Sequence, residues 1–287
     1  ISYLIFLVIN SKNKNKNIFS GFCVILVVTM LSSFVKDKKQ TIYSPYQNIS
    51  IQHLTSPLNP IIIQTSHLFY QALLNLSEDL NYEMSGRVEG NIFGHHVDDK
   101  HEREFYNLPY LISPLLPKKI MIVGSGAGND VAAANRFNIN MIDAVEIDPV
   151  IADLGKKYHP EEPYNKGNVD LYIDDARSFI KNNQNKYSAI IYGLLDSQTN
   201  LSSKGGIRLD SYVYTVEAFE EARNILKNDG VMYLSFFVQA PELGFKIFKM
   251  LEKTFGHKPL VLKSELNDRY VFVAKNEKQS KLNINNL

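Results

Sequence analysis

Past Ile120 the chain reads as an apolar run followed by three glycines at alternate positions, Gly124, Gly126 and Gly128, with Ser125 between the first two. A short stretch of helical composition follows, and then Val145-Glu146-Ile147-Asp148. Glycines in such a turn let the backbone bend sharply and approach a ligand without Cβ clashes. Glu146 stands 22 positions after Gly124, at the end of a second apolar run. A carboxylate there can accept both hydroxyls of a ribose. Glycine-rich strand-to-helix turns also serve packing alone. Here strand, glycines, helix and acidic strand end agree, and together they predict a pocket for an adenosine-type cofactor.

Two more polar positions follow apolar runs. Asp174 and Asp175 end the run 169–173, and Asp175 is suited to accept a hydrogen bond from an adenine amine. An Asp before Ala176 is also a common helix N-cap. One of the pair is expected to cap while Asp175 meets the ligand. Asp196 follows the run 189–195 and precedes a polar loop, where it faces the reacting end of the cofactor and can orient or deprotonate a nucleophile. The plain alternative is a loop Asp closing an Asx turn. The stretch from His95 to Glu102 holds residue types that suit zinc or manganese. It is polar throughout, without the apolar surroundings of a metal centre, and reads as a solvated loop. No metal site is expected.

From Lys118 onward strand-like and helical patterns alternate, which predicts a parallel sheet with helices on both faces. Strands are expected at 120–123, 143–147, 169–173, 189–192, 231–236, 260–262 and 270–274, the last two as a hairpin. This is a doubly wound, seven-stranded α/β sheet of the methyltransferase type, Rossmann-like, over residues 117–275. Residues 42–116 read as a small β-rich lead-in domain and 276–287 as a frayed polar tail. Residues 18–35 carry no charge over 18 positions, just enough to cross a bilayer core of about 30 Å as a helix. Residues 1–41 are therefore expected to be membrane-spanning, with the apolar stretch 1–9 as the end of a truncated helix. Lysines flank 18–35 on both sides, so charge does not set its orientation.

A chain of 287 residues with 45% hydrophobic content can bury a large core. A net charge of +1 gives no electrostatic reason to expect nucleic acid. The single cysteine, Cys23, excludes a disulfide framework and a cysteine-based metal site. Assembly as a homodimer is open.

The chain resembles the spermidine synthase family of polyamine aminopropyltransferases, and more closely its membrane-attached bacterial relatives. The likeness rests on Val123-Gly-Ser-Gly-Ala-Gly-Asn-Asp130, Val145-Glu-Ile-Asp-Pro-Val-Ile151, Asp174-Asp-Ala-Arg177 and Arg208-Leu-Asp-Ser-Tyr-Val-Tyr-Thr215. Tyr46-Gln47 matches the family's early Tyr-Gln motif, and Gln71 its second glutamine. The resemblance implies that Glu146 holds ribose, Asp175 adenine, and Asp196 the amine as catalytic carboxylate. Tyr106 falls at the family's substrate-side Tyr-His-Glu stretch, which here reads Tyr106-Asn107-Leu108. The loop usually written Asp-Ser-Ser-Asp-Pro reads Gly193-Leu-Leu-Asp196-Ser, so an amine-binding acid is replaced by Gly193. The implied reaction moves a propylamine group from decarboxylated S-adenosylmethionine to a small-molecule amine. An alkyl amine has a pKa near 10, so a residue must take or orient its proton; Asp196 is the candidate, with Tyr212 or Tyr214 beside it. An S-adenosylmethionine-dependent methyltransferase on the same fold, and a membrane-tethered nucleoside-binding protein without turnover, stay open. The cofactor is made in the cytosol, which places the catalytic domain on the cytoplasmic side of a bacterial inner membrane.

Overall fold

The computed structural model describes residues 40–53, 61–65, 68–77, 99–113, 115–195, 212–238, 240–264, 268–277 and 282. The N-terminal part is a four-stranded sheet in sequence order, β1 (Gln40–Tyr43), β2 (Asn48–His53), β3 (Ile61–Thr65) and β4 (Leu68–Leu73). Between β1 and β2, Pro45 lies in a tight turn in which Ser44 Oγ accepts from the amides of Tyr46 (3.1 Å) and Gln47 (3.0 Å). Ile49, Ile51, Ile61, Ile63 and Leu73 form one buried cluster with Ala127, Ile151 and Leu154. The small sheet thus packs directly on the glycine loop.

A helix, α1 (Asp99–Leu111), ends this segment. Reading 99–102 as a solvated loop is thereby corrected: Glu102 on α1 makes a two-pronged pair with Arg269, at 2.8 and 2.6 Å. The polar pattern that suggested a loop is the outer face of a helix plus one acid committed to a distant partner. Residues 95–98 lie outside the described residues. Among the described residues no cluster of metal-ligand side chains is present.

The larger sheet follows from strands whose alternate residues are apolar on both faces. β5 (Lys119–Val123) runs parallel to β6 (Met141–Glu146) and to β8 (Tyr187–Tyr192). β6 pairs with β7 (Val169–Ile173), and β8 with β9 (Leu226–Phe237), also in parallel. β10 (Leu260–Lys263) and β11 (Arg269–Lys275) form the expected hairpin, with β11 antiparallel to β9. The order is β10-β11-β9-β8-β5-β6-β7. Met121 and Val123 enter one core cluster with α4 (Ala176–Asn182), α5 (Val216–Asn224) and α6 (Pro241–Phe255). Ile120 and Ile122 enter another with α1 and α2 (Asn129–Arg136). Both faces of the sheet are covered, as its parallel strands require.

After β5 the chain adds β6 and β7 on one side, then returns to add β8 and β9 on the other. The carboxyl ends of β5 and β8 are therefore the switch point, where open α/β sheets bind ligands. From Thr41 onward the chain forms one compact unit. The expected membrane span at 18–35 lies outside the described residues. Among the described residues no helix is long and apolar enough to cross a membrane. The expected fraying after Lys275 does not begin at once, because Asn276 donates to the Gly230 and Lys227 carbonyls, at 2.9 and 3.0 Å.

Candidate functional site

The glycine loop leaves β5 at the switch point, and its conformation needs glycine: φ is 65° at Gly124, 56° at Gly126 and 106° at Gly128. Three neighbours hold it. The Ser125 amide donates to the Val145 carbonyl at 2.9 Å. Gln71 Oε1 accepts from the Ala127 amide at 2.9 Å, so β4 of the small sheet closes over the loop. The Tyr164 hydroxyl donates to the Gly126 carbonyl at 2.7 Å and lies 2.9 Å from Ser125 Oγ.

Glu146 ends β6 directly beside this loop and is 4% exposed. Its Oε2 accepts from the Gly126 amide at 2.8 Å and its Oε1 from the Asp148 amide at 2.9 Å. Burial raises the carboxyl and these amides lower it; burial wins, leaving the group at about 6. Each carboxylate oxygen keeps a second lone pair, so the group that shapes the loop can still accept a pair of hydroxyls.

Asp148 takes the next position. It caps α3 (Pro149–Tyr158) by accepting from the Val150 amide at 3.0 Å, with Pro149 opening the helix. Its other oxygen accepts from Ser44 Oγ at 2.7 Å and Gln47 Nε2 at 3.3 Å. Gln47 is thus placed at the strand end through Asp148, with Tyr46 exposed beside it. One strand further, the Asp174 amide donates to the Glu146 carbonyl at 3.1 Å. The cap on α4 falls to Asp175, whose Oδ1 accepts from the Ser178 amide at 2.8 Å. Asp174 is the exposed member, and its Oδ1 accepts from the Asp175 amide at 2.8 Å. The expected division between a capping and a ligand-facing Asp is corrected to this extent: Asp175, expected to meet the ligand, does the capping.

The structure therefore brings Gly124, Ser125, Gly126, Gly128, Glu146, Gln71, Gln47 and the Asp174–Asp175 pair along adjoining strand ends. Tyr106 sits apart, on α1, where its hydroxyl accepts from Asn129 Nδ2 at 3.2 Å at the start of α2. Burial, with the charges of Asp130 and Glu102, pushes that phenol far up. Tyr214 packs edge-on against Phe236, with ring centroids 5.2 Å apart, and lies partly buried against the core cluster of β5, β8 and β9. Tyr212 is exposed, and its carbonyl accepts from Arg177 at 3.5 Å. Asp196 lies outside the described residues.

Sequence reasoning missed Asp148, Tyr164, Asn129 and Asp130. Asp148-Pro149 is a helix-start signal that was legible. Asn129 carries four partners across three segments: Leu74 N (3.1 Å), the Ala72 carbonyl (2.9 Å), Tyr106 and His159 (3.1 Å). No local pattern announces that. His159 is buried in this network and held down to about 3, mainly by burial.

An adenosyl ligand fits this donor set. Acceptors stand at the ends of β6 and β7, the glycine turn lies at the end of the neighbouring β5, and Tyr172 and Ile173 expose apolar surface at the end of β7. The described residues offer no cluster that would hold a metal.

The spermine/spermidine synthase domain matches residues 101–262. A polyamine aminopropyltransferase of Sulfurisphaera tokodaii is 28% identical over 180 residues, covering 61% of this chain and 54% of that protein. One from Saccharolobus solfataricus is 29% identical over 157 residues, 51% of this chain and 47% of that protein. The chain spans about half the length of the curated relatives it matches. Spermidine synthase from Thermotoga maritima shares the fold at a TM-score of 0.58 and 15% identity, over 86% of this chain and 76% of that one. Human methyltransferase-like protein 13, solved with SAH, does so at 0.52 and 18%, over 66% and 87%. The domain match covers more than half of the sequence, and the chain belongs to the spermine/spermidine synthase domain family.

Proposed function

We propose that the chain is an aminopropyltransferase that moves the propylamine group of decarboxylated S-adenosylmethionine to a small-molecule amine. The observation that carries the reading is the buried Glu146 beside a glycine loop at the switch point, inside the span matched by the family. The bound nucleoside supplies a sulfonium that activates the adjacent propyl carbon. The amine lone pair forms the new C–N bond as the C–S bond breaks, the bonding pair stays on sulfur as neutral methylthioadenosine, and the product ammonium releases a proton. Glu146 accepts the ribose hydroxyls, and the Asp174–Asp175 pair, at the end of β7, receives the adenine amine. Asp196, in the loop after β8, orients the amine and takes its proton.

A methyltransferase using intact S-adenosylmethionine is the second reading, favoured by the fold shared with the human methyltransferase-like protein and by Gly193 in place of an acid. Incubating the protein with each cofactor and a panel of di- and polyamines, followed by mass analysis, separates the two. Methylthioadenosine with an aminopropylated amine supports the proposal. S-adenosylhomocysteine with a methylated product overturns it, and neither product supports nucleoside binding without turnover.

We also propose that residues 18–35 insert in a membrane, on the strength of their uncharged length, with the catalytic part on the cytosolic side because the adenosyl cofactor is made there. Membrane association resistant to carbonate is expected. A full-length protein recovered wholly in the soluble fraction would overturn this.

A further inference from the structure

Asp130 is the second residue of α2, directly after the glycine loop. An ideal Cβ placed on Gly193 would lie 3.0 Å from Asp130 Oδ2 and 3.2 Å from the Gly124 carbonyl oxygen. The carboxylate therefore occupies the edge of the space that any side chain at 193 would fill. Gly193 is held in place, its amide donating to the Val123 carbonyl at 3.2 Å. A carboxylate and a backbone carbonyl thus converge on one corner, between the ends of β5 and β8. Among the described residues Asp130 forms no ion pair. Arg136, the cation whose charge reaches it, is committed to Glu161 at 2.7 and 2.8 Å and to Asn107 at 3.1 Å.

Acceptors without a cation are complementary to a group that brings its own charge and several donors. A primary ammonium has three N–H donors and no acceptor, and fits both oxygens at once. A neutral hydroxyl or a carboxylate would not, the second being repelled.

We propose that Asp130 binds the primary ammonium of an aliphatic amine at the switch point, next to Gly193. The inference rests on the aminopropyl-transfer reading for the identity of that amine. The ammonium belongs either to the propylamine arm of the donor nucleoside or to the acceptor. Burial pushes the Asp130 carboxyl up to about 7, and a cation beside it would favour the charged form.

The test uses Asp130→Asn, which keeps shape and removes charge, and calorimetry with three probes. Methylthioadenosine has no ammonium. Decarboxylated S-adenosylmethionine carries one on its propyl arm. 1,4-Diaminobutane is titrated into protein saturated with methylthioadenosine. Methylthioadenosine should bind wild type and variant within about twofold, while one ammonium-bearing probe loses about tenfold or more; which probe loses identifies the source. Equal affinity of both ammonium probes for the two proteins overturns the proposal and leaves the nucleoside reading standing. Failure of wild type to bind methylthioadenosine overturns the functional reading, and the proposal with it. Gly193→Ala is the second variant, because its Cβ crowds Asp130 Oδ2 without altering the acid. The same selective loss is expected, and this variant decides the matter if Asp130→Asn misfolds. An unchanged amine affinity in a folded Gly193→Ala protein also counts against the proposal.

Discussion

Glu146 has two tasks that pull on the same atoms. It joins the loop to the start of α3 through the Gly126 and Asp148 amides, and in the proposed reaction it also takes ribose. Charge-assisted hydrogen bonds of this kind are worth roughly 1.5–3 kcal/mol each. Glu146→Ala is accordingly expected to weaken methylthioadenosine binding by about 2–4 kcal/mol, read by calorimetry. An unchanged affinity would place the pocket elsewhere. The raised pKa gives a separate expectation for stability. With a folded value of about 6 against an ordinary 4.5, the neutral form is favoured in the native state. That contribution is fully present below about pH 4.5 and is lost as pH rises through about 6. Gln mimics the neutral form at every pH. The stability of wild type relative to Glu146→Gln should therefore be flat below about pH 4.5 and fall by about 2 kcal/mol by pH 7. Denaturant titrations of both proteins at pH 4 and 7 measure it, and a gap that does not change with pH would contradict the burial argument.

The glycine loop depends on an element that sequence reasoning had no reason to consult. Gly155 lies in the middle of α3, where Ala would ordinarily be preferred by about 1 kcal/mol. In this fold its missing side chain is a contact surface. A Cβ there would press on the Ala127 carbonyl and sit 2.8 Å from the Tyr164 ring, both parts of the loop's support. Backbone cannot yield as a flexible side chain does. Gly155→Ala should destabilise the protein by about 1–3 kcal/mol despite its helix preference, the range for overpacking a filled site, and should weaken nucleoside binding in parallel. Increased thermal stability in the variant would refute this packing role. The central strands of the large sheet were legible because parallel strands buried on both faces leave apolar runs, as in β5 and β8; the edge strand Val169–Ile173, half-exposed, was nonetheless read to the residue. β9 begins earlier than expected, at Leu226, because Lys227, Asn228 and Asp229 look like a turn and yet continue the strand. At the site, glycines and strand-end acids announced themselves through spacing. Asp130 and Asn129 did not, since their roles depend on partners 63 and 57 positions away, at Gly193 and at Ala72 in β4.

At the scale of the whole molecule, the question is what ties the segment before β5 to the far side of the large sheet. Cores do most of it: Tyr110 and Ile112 share a cluster with β5, β6, β8, β9 and β11. One polar clamp adds direction. Arg269, at the start of β11 and 6% exposed, pairs with Glu102 on α1 through both of its terminal nitrogens and stacks over Phe105 at 4.2 Å. The pair spans 167 positions of chain, so it forms only when α1 docks on the finished sheet. As a buried pair its net worth relative to apolar residues is small, because desolvation offsets attraction. Breaking it from one side is a different matter. Glu102→Ala takes the paired carboxylate away from a buried guanidinium and should cost about 3–5 kcal/mol, seen as a lower denaturation midpoint. A double variant, Glu102→Leu with Arg269→Met, removes both charges and should recover most of that loss. The asymmetry is the discriminating result: if the double variant is as unstable as Glu102→Ala, the clamp acts through packing of the long side chains and not through charge.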